Sequence, residues 1–269
     1  MTTIIPASSF TALHIRLYEP QRLLKPWVQC FWTLEGCSHS KLQKTEKLYP
    51  DAGSSLTFKY EPDGIKAVFF HNKHTLYHSL SGCERRISIR FTPSGAHFLL
   101  GLEVQDLAGQ EHCLAELSPL LWRQSLEQLV NRLAMTDFAL HMQMIQTWLT
   151  QCLATSESPD LRTGGIIHEI QNLASTPYDI AGKIGFTRRT LERKLKREVG
   201  VTPNQIVNFS RIHKARQLLL RTEMSLADVA LHCGYFDQAH FNNAFRKATF
   251  ESPGYYRHRK LSQISNPPF

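Results

Sequence analysis

Long hydrophobic runs are missing from this chain of 269 residues; the longest apolar patches, residues 67–70 and 98–100, are far too short to cross a bilayer. Lysine and arginine are absent before Arg16 and no apolar core follows the start, so no secretory signal is expected. Cysteine is sparse: the six, Cys30, Cys37, Cys83, Cys113, Cys152 and Cys233, form no CxxC pair and no dense scaffold, which points to reduced thiols in a cytoplasmic protein. No GxSxG, P-loop or HExxH occurs, which removes the enzyme classes those motifs serve. Asp51 and Glu103 stand alone, without an acid–base partner, so no catalytic residue is assigned. His71, His74 and His78 lie in HNKHTLYH, but they straddle a strand–turn–strand and no carboxylate or cysteine cluster supports them. They read as turn or solvated histidines, and neither a metal nor a cofactor is expected.

What is present is an ordinary globular composition, 42% hydrophobic and 20% charged, in a length that suits one large domain or two. The net charge of +8 is unevenly placed. Residues 163–260 hold 16 of the 31 Lys and Arg but only 8 of the 23 Asp and Glu, so the whole excess lies in the last third. That implies an anionic partner for this part alone. The basic residues interleave with compact helix signals instead of forming one amphipathic stripe, which disfavours a membrane surface.

The fold class expected is α+β. Between residues 27 and 102, WVQCFWTLEG, SSLTFKY, IKAVFF, TLYHSL and RISIRF are short aromatic and β-branched runs separated by turn signals such as Pro62-Asp63-Gly64. They predict a β-rich domain, barrel or sandwich-like, with trailing helices. One helix is expected to open at Ser118-Pro119 and another to cover residues 136–153, where Leu140, Met144, Trp148 and Cys152 form a stripe. The stripe serves either packing against the sheet or self-association. Residues 155–165, TSESPDLRTGG, read as a linker between a domain over 1–154 and an all-α domain over 166–260.

In the last third the same outline occurs twice. TPYDIAGKIGFTRRTLERKLKREVGVTP (176–203) and SLADVALHCGYFDQAHFNNAFRKATFESP (225–253) each present a capped short helix, a glycine turn, and a longer basic helix closed before Ser/Thr-Pro. This is a helix-turn-helix, repeated. Thr176, Thr202 and Ser225 start three helices as N-caps, with Asp179, Gln205 and Asp228 three residues on. Between the repeats a long helix over 203–221 is expected to bury Phe209, Ile212, Ala215 and Leu219 and to expose Arg211, Lys214 and Arg216. The repeats correspond at an offset of 49 residues up to Phe186/Tyr235 and of 50 from Leu191/Phe241 onward, so the second turn is one residue longer. Leu191, Leu195 and Val199, like Phe241 and Phe245, should face inward. The candidate DNA-binding residues are then Arg188, Arg189, Glu192, Arg193 and Lys196 in the first unit, and Gln238, His240, Asn242, Asn243 and Arg246 in the second. Arginine grips guanine, Asn or Gln pairs with adenine, and lysine favours phosphate. Two such helices on a rigid spacer would enter successive major-groove segments roughly 34 Å apart.

From about residue 166 to 259 the chain resembles the AraC/XylS family of bacterial transcription regulators. Ala215, Leu218 and Leu219, followed by DVA..CGY.DQ.HF...FRK....SP..YR, carry the resemblance. It implies a double helix-turn-helix that acts on promoters, often through RNA polymerase, and assigns base contacts to Arg189, Glu192, Arg193, Gln238, His240 and Asn243. Two positions depart from the family pattern: Phe250 stands where glycine is usual, and Asn243 where many members carry Arg. PWVQCFWTLEG, YPDAGSSLTF and IRFTPSGAHFLLG are similar to a β-rich regulatory domain of the family, implying effector sensing or dimerisation. The expected protein is therefore a sequence-specific regulator, an activator, binding double-stranded promoter DNA, with RNA polymerase, a small-molecule effector and a second copy as candidate partners. The competing readings are a β-barrel enzyme with a DNA-targeting tail and a nonspecific architectural protein. The first unit, richer in arginine, is expected to dominate affinity and the second to adjust specificity.

Overall fold

The computed structural model describes residues 13–36, 42–117, 120–155, 162–172 and 176–265. The expected helix opening at Ser118-Pro119 lies outside them. The N-terminal half is built on a six-stranded antiparallel sheet in the order β1 (Arg16–Tyr18), β2 (Val28–Glu35), β7 (Arg85–Phe91), β4 (Ser54–Glu61), β5 (Gly64–His71), β8 (Glu111–Cys113). Alternation sets its faces: in β4, Ser54, Leu56 and Phe58 turn inward while Ser55, Thr57 and Lys59 are half-buried on the other side. Registers Leu56↔Ile89 and Phe58↔Ile87 stack apolar side chains across the two central strands. Pro62-Asp63 forms the tight turn anticipated between β4 and β5, with Glu61 paired to Gly64. The sheet stays open, with β1 and β8 as its edges. A separate ribbon pairs β3 (Gln43–Leu48) with β6 (Leu76–Ser81).

The inner face of the sheet is covered by α1 (Gly95–Leu100), the short α2 (Leu114–Leu117), α3 (Leu120–Ala134) and α4 (Phe138–Thr155). Ile145, Trp148, Leu149 and Cys152 of α4 are buried in this core, and Trp148 meets Phe58 edge-on with ring centroids 6.5 Å apart. The stripe on α4 is thus used for packing within the chain, while Leu140 at its start stays outside, 51% exposed.

The C-terminal half is helical: α5 (Arg162–Gln171), α6 (Pro177–Lys183), α7 (Arg188–Val199), α8 (Pro203–Arg221), α9 (Leu226–His232), α10 (Gln238–Thr249) and α11 (Pro253–Ser265). Two features differ from expectation. Helix α5 starts inside the stretch read as linker and includes Gly164 and Gly165, because buried Thr163 donates to Glu198 Oε2 at 2.7 Å and ties that first turn to α7. Arg216 is buried instead of exposed: its guanidinium lies 3.6 Å from the Tyr49 ring and donates to Tyr256 Oη at 3.1 Å. Periodicity along α8 does not register this, since Tyr49 of the N-terminal half covers that helix face. Two small cores result, one around Leu191, Leu195 and Ile206, the other around Phe241, Phe245 and Tyr256, and each takes in one residue from the N-terminal half, Ala52 and Tyr49 respectively.

Candidate nucleic-acid interface

Each helix-turn-helix is assembled from local signals. Thr176 accepts from Asp179 N–H at 3.2 Å while Asp179 accepts from Thr176 N–H at 3.1 Å, a reciprocal box that starts α6 on the turn set by Pro177. The Thr176 hydroxyl, donating to Asp179 Oδ2 at 2.7 Å, and the Thr176 N–H hold the Asp179 carboxyl below its ordinary pKa. The same box, with Gln205, starts α8. Gly185 (φ 73°) and Gly234 (φ 76°) occupy the left-handed conformation in the two turns. Thr187 and Asp237 then cap α7 and α10, accepting from the N–H of Thr190 and His240.

On α7, Leu191, Leu195 and Val199 are buried, and Arg189, Arg193 and Lys196 are exposed on the opposite side. Arg188 and Glu192 are engaged with each other (Nε to Oε1, 3.2 Å) and with Tyr178 of α6, whose ring lies 4.2 Å under the guanidinium and whose hydroxyl reaches Glu192 at 3.4 Å. They therefore sit at the seam between the scaffold helix and the reading helix. On α10, Gln238, His240, Asn243 and Arg246 are exposed, and His240 packs edge-on against buried Tyr235. Asn242 is half-buried, and its Oδ1 has neither solvent nor a protein donor. Sequence reasoning passed over Arg197 and Lys247, both exposed; each lies four residues beyond a named reader, Arg193 and Asn243, and that spacing alone would have found them.

The far ends of both reading helices rest on the N-terminal half, in different ways. Helix α7 ends at Gly200 (φ 80°), where a side chain would run 2.9 Å from His71 Nε2 and 3.0 Å from the Val104 carbonyl. His71 is buried, bonded through Nδ1 to the Gly53 carbonyl at 3.1 Å, and burial pushes its pKa down to about 4. Helix α10 ends at Phe250, a left-handed residue (φ 60°) whose ring stacks on Tyr77 with centroids 6.3 Å apart. Its last carbonyls are capped from β3 and the start of β6: Thr75 Oγ1 donates to Ala248 O at 2.5 Å and Lys47 Nζ to Thr249 O at 2.8 Å. Lys47 also pairs with buried Glu251 at 3.0 Å, as does Arg259 at 2.7 Å. Burial pushes the Glu251 carboxyl up, but the hydrogen bonds from Arg259 and Lys47 outweigh it and hold the pKa below the ordinary range.

Between the ribbon, the outer face of the sheet and helices α8 and α10 opens a cleft of about 1160 Å³. Trp32, Phe70 and Leu80 form apolar wall on the N-terminal side and Phe209 and Ile212 on the other, while Arg86 supplies charge and His240 and Lys247 stand on its α10 side. Arg86 is buried beside His78 and ion-paired with Glu84. Among the described residues no helix is long and apolar enough to cross a membrane.

A helix-turn-helix domain family matches residues 180–259, and a domain of unknown function (DUF6597) matches residues 16–112. The transcriptional activator RhaS of Escherichia coli O157:H7 is 42% identical over 74 residues, covering 28% of this chain and 27% of that protein. RhaS of Pectobacterium carotovorum is 33% identical over 118 residues, 42% of each. The C-terminal part of the chain is thus similar to the helix-turn-helix domain of AraC-type activators. Among solved structures, an AraC-type regulator from Chromobacterium violaceum is 29% identical, with a TM-score of 0.34, over 40% of this chain and all of that one. ToxT of Vibrio cholerae is 14% identical, with a TM-score of 0.39, over 81% and 96%. The chain thus spans between about a quarter and two-fifths of the RhaS proteins it matches. The match to the AraC-type domain covers α7 through most of α11, hence both reading helices, and the DUF6597 match covers the sheet and ribbon.

Proposed function

We propose that this protein is a sequence-specific transcription regulator of the AraC/XylS type, an activator, that binds double-stranded promoter DNA in the cytoplasm through both helix-turn-helix units. One observation carries the reading: two capped helices with exposed arginine, lysine and amide faces stand at the two ends of a single spacer, α8. Arg189 and Arg193 read bases, with Arg188 and Glu192 at the seam; Gln238, His240 and Asn243 read the second half-site, with Asn242 beside them. Lys196 and Arg246 bind phosphate, giving affinity that falls with salt. Residues 1–154 are the regulatory domain and 166–260 the reading domain. RNA polymerase is the partner through which bound protein activates.

For the N-terminal domain, sensing a small-molecule effector is favoured over dimerisation. The apolar stripe of α4 is spent on its own sheet, whereas the cleft between the two halves combines apolar wall with charged and amide side chains that could orient a polar small molecule. The decisive experiment is a gel-shift competition at moderate salt with a duplex selected from a random library. Selected DNA should compete far better than random DNA; equal competition would overturn the reading and leave a nonspecific architectural protein.

A further inference from the structure

The turn of the second helix-turn-helix is one residue longer than that of the first, and the structure shows which residue is extra. Phe186 and Tyr235 occupy the same place: each donates its N–H to the carbonyl of an alanine in the preceding helix, Ala181 at 2.8 Å and Ala230 at 3.0 Å. The next fixed points are the caps, Thr187 in the first unit and Asp237 in the second. Thr187 follows Phe186 directly, whereas Phe236 intervenes before Asp237. This inserted residue is a phenylalanine exposed to 88%, more than any other large hydrophobic among the described residues.

Its display is enforced from both sides. Tyr235 is buried against Phe241, ring centroids 5.3 Å apart, and Asp237 is held by the cap hydrogen bond from His240 N–H at 2.7 Å. With both neighbours pinned, Phe236 projects at the start of α10, the end of a recognition helix that meets base edges, next to Gln238 and His240. A phenyl ring has no donor or acceptor and gains nothing from phosphate. In the major groove the apolar feature available to it is the C5-methyl group of thymine. We infer that Phe236 is a specificity-determining residue that packs against a thymine methyl in the half-site of the second unit. The inference rests on the DNA-reading function proposed above and adds to it a contact that the first unit lacks.

The test uses the full chain and a duplex selected with it from a random library. Each thymine under the second unit is replaced in turn by uracil, which removes only the methyl group, and affinity is read by fluorescence anisotropy. One substitution should weaken the wild-type protein about fourfold, the worth of one buried methyl. Phe236→Ala should bind the thymine duplex correspondingly less tightly and should not respond to that same substitution, while Phe236→Leu keeps part of the response. Because the side chain is exposed, thermal melting of the variants should match wild type. Phe236→Ala binding as tightly as wild type, with the same thymine preference, would overturn the inference and leave the ring for a protein partner such as RNA polymerase. So would a uracil effect that persists undiminished in Phe236→Ala. A selection that yields no preferred sequence would instead bring down the DNA-reading function itself, and this inference with it.

Discussion

The two helix-turn-helix units share a plan and differ in what completes them. Each reading helix leads to a buried glutamate. Glu198, at the end of α7, is satisfied within the C-terminal half: Lys194 at 2.7 Å, Arg197 at 2.9 Å and Thr163 at 2.7 Å. Glu251, just past α10, draws on Lys47 of the N-terminal half as well as Arg259. The first unit turns its chain with Gly200, which adopts the left-handed conformation without strain, and the second with Phe250, which adopts it at a cost of roughly 1–2 kcal/mol and stacks on Tyr77. The terminal carbonyls of α10 are capped by Thr75 and Lys47. The first unit is therefore close to self-contained, while the second is finished by the N-terminal half. Whatever moves the β3–β6 ribbon acts first on the second unit.

The largest effects should come from the glutamates. Removing either carboxylate takes away the shared acceptor of Lys194, Arg197 and Thr163, or of Lys47 and Arg259, so Glu198→Ala and Glu251→Ala should each lose roughly 2 kcal/mol in denaturant unfolding. The contrast appears with Lys47→Ala: hydrogen exchange should accelerate at residues 245–251 and stay unchanged at 195–200. Equal acceleration at both ends would erase the distinction. Next, Arg193→Ala should weaken binding to a selected duplex about tenfold or more and relax one base preference, with a smaller loss for Asn243→Ala. A larger loss from Asn243→Ala in a titration of both variants would reverse the ranking of the units.

Acid should act at the joint behind the first unit. The pKa of His71 is held at about 4 by burial, below its ordinary value, so between about pH 6.5 and 4 the unfolded chain binds a proton that the folded chain does not. Stability is full above that window and falls as pH drops through it, by about 1 kcal/mol between pH 7.5 and 5.5. His213, pushed to about 4 by burial, acts in the same direction. Melting temperatures across this range check it; a flat profile would mean that these rings are not shielded. The smallest effect is expected from Phe250→Gly. Relief of left-handed strain and loss of the aromatic stack, worth about 0.5–1.5 kcal/mol, nearly cancel, so the variant should unfold within about 1 kcal/mol of wild type. Combined with Tyr77→Ala in a double-mutant cycle it should show coupling, and additive effects would break the stacking account.

Local signals made most of the reading domain legible. Caps, glycine turns and i, i+4 rows placed α6 through α10 within a residue or two, because those helices are determined by neighbours in sequence. The strands β2 and β4 to β7 were visible for the same reason. Strand β3, QKTEKL, was not, since a polar ribbon paired only with β6 carries no alternation of hydrophobicity. Arg216 was misjudged because its partner, Tyr49, lies 167 positions earlier, and no periodicity on α8 registers a ring arriving from another domain. The cleft is illegible for that reason too: its two walls come from opposite ends of the chain.

Phe250 has a consequence for modularity. A reading domain whose helix ends on glycine can be joined to many sensors, since nothing outside it is needed to settle that turn. Here the turn is occupied by a ring that rests on Tyr77. A chimera that keeps this reading domain under a different sensor inherits the strain without the stack, and restoring glycine at position 250 is the change that would make the domain transferable.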